Sequence, residues 1–148
     1  MKKLKLGVVP IKRTFLPMEA AKAQKDEFMP VIRSIKSDYV EIIDVDELTE
    51  NGIAFTYDVI APIVKKLKDN EIDALFLPFC DFGEESVAAG IASAFKVPTL
   101  VWGPRDTEPN SDVTRGRDTQ CGIIAATKVL SRLHCQLSHT VRAVQKRL

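Results

Sequence analysis

The side chains that most often carry enzyme chemistry are scarce in this chain. It has two histidines, His134 and His139, and three cysteines, Cys80, Cys121 and Cys135. An odd, widely spaced cysteine set gives neither a disulfide framework nor a zinc pattern. The histidines do not face one another squarely on a helix, and no carboxylate accompanies them. No Ser-His-Asp set, no His-Glu metal constellation and no spaced carboxylate cluster on facing elements is present. Gly7 stands alone inside an apolar run, so neither a dinucleotide fingerprint nor a P-loop exists. No apolar run approaches the roughly 20 residues that span a bilayer. The opening Met-Lys-Lys-Leu-Lys-Leu-Gly-Val-Val-Pro has too short an apolar stretch for a secretory signal. A soluble, cytoplasmic chain without a membrane partner is therefore expected. Internal repeats and low-complexity segments are also missing.

What is present is globular composition. Apolar residues make up 45% of the 148 and charged residues 28%. That is enough chain for one ordinary hydrophobic core. The net charge of +1 is unevenly spread. Arg132 to Leu148 holds basic residues and no acid, so the rest of the chain is net acidic. Such a tail reads as a solvated helix face or as a nucleic-acid contact. No aromatic residue interleaves with those charges, which disfavours a stacking platform, and no nucleic-acid partner is expected.

Leu4 to Pro10 reads as a buried strand. Met18 to Lys36 follows as a helix through Ala21, Phe28, Ile32 and Ile35, and Pro30 predicts a kink or break near Met29. Tyr39 to Ile43 is a second strand. Thr56 to Lys68 is a second helix with Ile60, Val64 and Leu67 inward and Thr56 as N-cap. Ile72 to Leu77 is a third strand, and Gly83 to Phe95 a third helix. The small residues Ala88, Ala89, Gly90, Ala92 and Ser93 suit that helix to being covered on both sides. Val97 to Trp102 is a fourth strand. Pro104 to Gly116 reads as a long exposed loop. A last helix begins near Asp118, capped by Asp118 or Thr119. Its apolar positions include Leu130, Leu137, Val141, Val144 and Leu148, and no Gly or Pro after Gly122 stops it, so it is expected to reach the C-terminus.

Four strand–helix alternations predict an α/β, flavodoxin-like (Rossmann-like) three-layer sandwich. Right-handed connections give a four-stranded parallel sheet of order 2-1-3-4 with a long C-terminal helix. The functional crevice of such a sheet lies beyond the carboxyl ends of its strands. Three loops end there.

Lys12 and Arg13 follow the first strand. A guanidinium there suits a carboxylate, a phosphate or vicinal hydroxyls; the alternative is an ordinary surface pair of bases. Cys80, Asp81, Phe82, Glu84 and Glu85 follow the third strand. A helix N-terminus activates a thiol at Cys80, whereas the three carboxylates oppose it and themselves suit the helix dipole. Phe79 and Phe82 line a pocket or pack. Trp102 ends the fourth strand, either as a platform for a sugar face or as a core residue. Arg105, Arg115, Arg117, Asp118 and Gln120 follow it, as crevice groups or as a charged loop folded on itself.

Pro10-Ile-Lys-Arg-Thr-Phe15, Leu77-Pro-Phe-Cys-Asp-Phe-Gly-Glu-Glu85, Val101-Trp-Gly-Pro-Arg105 and Arg117-Asp-Thr-Gln-Cys-Gly122 together resemble the N-terminal domain of the L-fucose/L-arabinose isomerase family. The resemblance covers about residues 4 to 132. It implies a cytoplasmic, homo-oligomeric aldose–ketose isomerase of three domains, the first flavodoxin-like. It implies a manganese ion between the second and third domains, and a first domain that reaches a neighbouring subunit's site and helps hold the sugar. By position Arg13 resembles the family's substrate-binding arginine. Cys80, or its neighbours Asp81 and Phe82, stands where the family places a substrate-facing aromatic.

By this resemblance the chain holds only the first domain, over residues 1–133, with residues 134–148 as a basic amphipathic helical extension departing from the family pattern. The expected role is a substrate-lid and oligomerising domain without catalytic or metal residues of its own. The expected substrate contacts are Arg13, Cys80, Asp81, Phe82, Trp102 and Arg105. Two alternatives stay open: a stand-alone small-molecule-binding domain with a pocket at Arg13, Phe82 and Trp102, and a thiol-dependent racemase or isomerase built on Cys80 and Cys121.

Overall fold

The computed structural model describes residues 2–106 and 116–139. Five strands alternate with four helices: β1 (Leu4–Val8), α1 (Met18–Ser34), β2 (Val40–Ile43), α2 (Ile60–Asp69), β3 (Ala74–Pro78), α3 (Glu85–Ala92), β4 (Thr99–Trp102), α4 (Thr119–Arg132) and β5 (Leu137–His139). The sheet is parallel throughout, in the order β2-β1-β3-β4-β5. The expected 2-1-3-4 order and three-layer α/β fold are both present.

Strand side chains alternate between two cores. Leu6 and Val8 of β1, Phe76 of β3 and Trp102 of β4 meet Ala21, Phe28, Met29 and Ile32 of α1 on one face. Val9, Leu75, Leu77 and Val101 meet α2, α3 and α4 on the other. Strands buried on both faces explain the near-continuous apolar runs in the sequence. Among the described residues, no helix is long and apolar enough to cross a membrane.

Several expectations are corrected. α1 does not break near Met29 but runs through Pro30 to Ser34. Pro30 is exposed while Phe28, Met29 and Ile32 are buried. The backbone bond that proline removes therefore faces water, and packing holds the inner side. Thr56 does begin a helical segment, but a 3-10 turn at Tyr57–Val59 that leads into α2, and without a side-chain cap bond.

The largest difference is at the C-terminal end. α4 begins where expected but stops at Arg132. His134 takes a left-handed conformation with φ 55°. The Cys135 N–H then donates back to the Leu130 carbonyl at 3.1 Å. That backbone reversal ends the helix without a Gly or Pro signal, and histidine tolerates it better than most residues. Leu137 pairs with Thr99, and a fifth strand replaces part of the expected helical extension. Residues 140–148 and 107–115, which include Arg115, lie outside the described residues.

α3 lies between α2 and α4 as its small residues anticipate. The closest approach is at Gly122 on α4. A Cβ there would fall 1.6 Å from the carbonyl oxygen of Phe82 and 2.4 Å from its carbon. Helix α4 thus rests directly on the backbone of the loop after β3. We expect Gly122→Ala to destabilise the protein by about 3 kcal/mol, the upper range for overpacking against atoms that cannot yield. Urea unfolding of the two proteins measures it, and an unchanged midpoint would contradict this packing.

Candidate functional site

The backbone beyond β1 continues the sheet for one more step. Ile11 bridges Ala54 on one side and Phe79 on the other. The Ile11 N–H donates to Pro78 at 2.9 Å, and the Cys80 N–H donates to Ile11 at 2.8 Å. The loops after β1 and β3 are therefore zipped together just above the carboxyl edge.

Two charged side chains lock the join from inside. Asp81 is buried, and its Oδ1 accepts the N–H of Arg13 at 2.7 Å and of Gly83 at 2.9 Å. Burial pushes the Asp81 carboxyl up, and the two N–H bonds with the charges of Lys12 and Arg13 oppose that push. Lys12 is as buried as the core, and its Nζ donates to the carbonyls of Arg13 at 2.6 Å and Thr14 at 3.3 Å. It also lies 4.7 Å from the Phe55 ring centre, a cation–π contact that helps a desolvated ammonium. Both residues shape the loop from inside. Asp81 holds the two loops together through these backbone bonds.

Arg13 points the other way. Its guanidinium sits between two aromatic rings, 5.4 Å from Phe15 and 5.2 Å from Phe82. Nη1 pairs with Glu85 at 2.5 Å and Glu84 at 3.4 Å, at the start of α3. The Thr14 hydroxyl, 3.0 Å from Glu84, adds to the same cluster. A guanidinium presents its donors as a flat fork. Stacking and ion pairing fix the plane of this one.

Arg13, Phe15, Leu16, Phe82, Arg117 and Asp118 together enclose a cleft of about 220 Å³. That is smaller than the roughly 300–1,000 Å³ typical of drug-sized ligands. It suits a small polar molecule, or one end of a larger one. Arg117 is steadied by a bond from Nη2 to the Arg105 carbonyl at 3.2 Å. The N-terminus of α4 is capped by neither Asp118 nor Thr119. Asp106 caps it instead, accepting the N–H groups of Thr119 at 2.8 Å and Gln120 at 3.2 Å. Gly103, at the base of this loop, leaves no space for a Cβ beside the Thr119 methyl.

Of the six expected contacts, the structure brings Arg13 and Phe82 into one cleft. Arg105 is exposed, and its carbonyl accepts the Arg117 bond at the cleft. Trp102 lies on the α1 side of the sheet, edge-on to Phe28 at 5.8 Å and near Phe76. Among the described residues, Trp102 lines a different cavity from the cleft that Arg13 and Phe82 share. Strand alternation is the reason, since Trp102 ends a strand with its side chain on the α1 face.

Cys80 is fully buried in the α1-side core. Burial, reinforced by Asp81, pushes its thiol far up and out of reach of deprotonation at neutral pH. Cys121 is exposed on α4. A two-thiol site needs both sulfurs in one cavity, so the Cys80/Cys121 racemase reading fails.

Phe15, Arg117 and Asp118 belong to the cleft but were not among the expected contacts. The signal for them was weak. Phe15 is 78% exposed and reads as a loop residue, and Arg117 and Asp118 are separated from Arg13 by most of the chain. No group of three or more His, Cys, Asp or Glu side chains able to hold a metal ion occurs among the described residues.

The family model of the fucose/sulfoquinovose isomerase N-terminal domain matches residues 7–147. No curated protein and no solved structure matches the chain. The family match runs well past residue 132. It therefore includes β5, and corrects the expectation that the family pattern is left after Leu133.

Thiol labelling checks the core placement. A disulfide reagent at neutral pH should label Cys121 first and Cys135 more slowly, with Cys80 reacting only once the protein is unfolded. Fast labelling of Cys80 in the native protein would contradict the buried position.

Proposed function

The chain belongs to the fucose/sulfoquinovose isomerase N-terminal domain family, and from that membership we propose that it is the substrate-gripping first domain of an aldose–ketose sugar isomerase. In this reading it closes over a sugar held at a neighbouring subunit of a cytoplasmic homo-oligomer, and catalytic domains outside this sequence perform the isomerisation. Manganese bound by those domains would polarise the sugar carbonyl. This chain supplies binding and orientation.

One observation carries the reading. Arg13 is fixed between Phe15 and Phe82, paired with Glu84 and Glu85, and open to a small cleft shared with Arg117 and Asp118. Guanidinium donors and a carboxylate acceptor match the hydroxyls of a sugar, each of which both donates and accepts. The aromatic rings offer an apolar face to its C–H groups. Glu84 and Glu85 already pair with Arg13, and Asp118 lines the cleft with Arg117, which favours an uncharged polyol end over an anion. Asp81 and Lys12 act one step back, by holding the loop on which Arg13 rides.

The test is sugar binding by the purified chain, read by ligand-observed NMR with L-fucose, L-arabinose and D-aldoses. Arg13→Ala should weaken binding about 10- to 100-fold, the equivalent of the roughly 1.5–3 kcal/mol of a hydrogen bond from a charged group. Thermal unfolding should stay cooperative, because Arg13 donates to Asp81 through its backbone N–H, which alanine retains. Unchanged affinity in Arg13→Ala would overturn the assignment. Micromolar binding by the isolated chain would favour a stand-alone binding domain instead.

A further inference from the structure

The Arg13 cleft has the ingredients of an anion site. Two guanidinium groups, Arg13 and Arg117, line it, and Lys12 is buried beside the first. Helix α3 starts next to Arg13, with Glu84 at its N-cap position and Glu85 in its first turn. The amide end of a helix favours negative charge. For these cationic and amide groups alone, a phosphate or carboxylate would be the natural guest.

The chain's own carboxylates take that place. Arg13 Nη1 pairs with Glu85 at 2.5 Å and with Glu84 at 3.4 Å. Glu84 also accepts the Ser86 hydroxyl at 3.1 Å and lies 3.0 Å from the Thr14 hydroxyl. The Tyr57 hydroxyl donates to Ser86 at 3.0 Å and extends the same chain of bonds. The Glu84 and Glu85 side chains are only 17% and 30% exposed, so water and salt screen them less than open surface charges. With Asp118, three carboxylates stand against the two guanidinium groups around the cleft.

Arg13 is not used up by this pairing. Among the described residues, its side-chain bonds run through Nη1, to Glu84, to Glu85 and to the Gly83 carbonyl at 3.5 Å. Nε and Nη2 remain as a two-donor fork. Such a fork meets two vicinal hydroxyls or the two oxygens of a carboxylate in the same way. Charge, and not shape, then decides between them.

We propose that Glu84 and Glu85 are specificity-determining residues of this cleft, a built-in anion that neutralises Arg13 and turns anionic sugar ends away in favour of hydroxyl-bearing ones. An incoming carboxylate or phosphate would lie beside two like charges. A hydroxyl meets no such repulsion and donates to a carboxylate while it accepts from the fork. The inference rests on the sugar reading for the identity of the neutral guest, whereas the rejection of anions follows from the ion pairs themselves.

Two titrations of the isotope-labelled chain test it, both followed at the Arg13 Nε–H signal. The first uses inorganic phosphate and needs no sugar. The double variant Glu84→Gln, Glu85→Gln keeps two side-chain carbonyls as acceptors for Nη1 and removes two negative charges. It should bind phosphate about tenfold more tightly, or better, than the unaltered chain. The second compares D-galactose with D-galacturonate, which differ only in a hydroxymethyl group or a carboxylate at one end. The ratio of galacturonate to galactose affinity should rise by about tenfold or more in the variant. Asp26→Asn, Asp69→Asn removes the same charge from exposed positions on α1 and α2. Screening at that distance should keep its effect on either value within about twofold.

Unchanged phosphate affinity in the Glu84/Glu85 variant would overturn the proposal. So would an equal gain in the Asp26/Asp69 variant, which would assign the effect to net charge, or tighter binding of galacturonate than of galactose by the unaltered chain. Galactose binding with an unchanged ratio removes the proposal and leaves the sugar reading standing. A gain for phosphate with no response to either sugar upholds the rejection of anions and removes the sugar reading. If the double variant fails to fold, Glu85→Gln alone decides, with a gain for phosphate of about threefold or more expected.

Discussion

A single buried carboxylate couples the two loops that carry the cleft. Asp81 gives one oxygen to the backbone of Arg13 and to that of Gly83, linking the crest of β1 to the start of α3. The Arg13 side chain leaves that anchored backbone in the other direction, toward Phe15, Phe82 and Glu85. An arginine is useful for recognising a planar pattern of acceptors only when its own plane is fixed. Here the plane is fixed by rings and carboxylates, while the origin is fixed by Asp81 and the Ile11 bridges. Helix α4 then presses on the Phe82 carbonyl through Gly122. Two segments far apart in sequence, Leu77–Glu85 and Arg117–Gly122, thus form one physical unit.

The sheet explains where everything else sits. Right-handed parallel connections carry α1 to one face as the chain moves from β1 out to β2. The same rule carries α2, α3 and α4 to the other face as it moves back across the sheet. Crowding follows on the second face, which is why α3 is small-residue rich where α2 and α4 flank it. Among the described residues, the first face is open beside α1. The cleft and that opening are therefore separate consequences of one topology. The first lies above the strand ends, and the second lies against the strand faces.

Much of this was legible in the sequence. The four apolar runs, their order and the location of the crevice followed from periodicity and handedness. The Leu77–Glu85 and Arg117–Gly122 motifs were the most specific segments, and the structure gives the reason in the contact between Gly122 and Phe82. What escaped the sequence depended on single backbone angles or on distant partners. His134 turns the chain by adopting a positive φ, which no residue pattern announced, and β5 was hidden as a result. Asp106 caps α4 from far upstream in the sequence, so the nearer Asp118 was the natural expectation. Trp102 and Cys80 were assigned to the crevice by their position at strand ends, but the pleat turned both inward to the α1 side.

The central claim is that the Arg13 cleft, above the strand ends, holds the sugar. The most direct measurement is a titration of the isotope-labelled chain with L-fucose, following backbone and side-chain NMR signals. The account predicts shifts concentrated at Arg13, Phe15, Phe82 and Arg117, with no conversion of the sugar by the chain alone. Shifts centred on Gln24, Phe76 and Trp102, or metal-dependent turnover by these 148 residues, would contradict it.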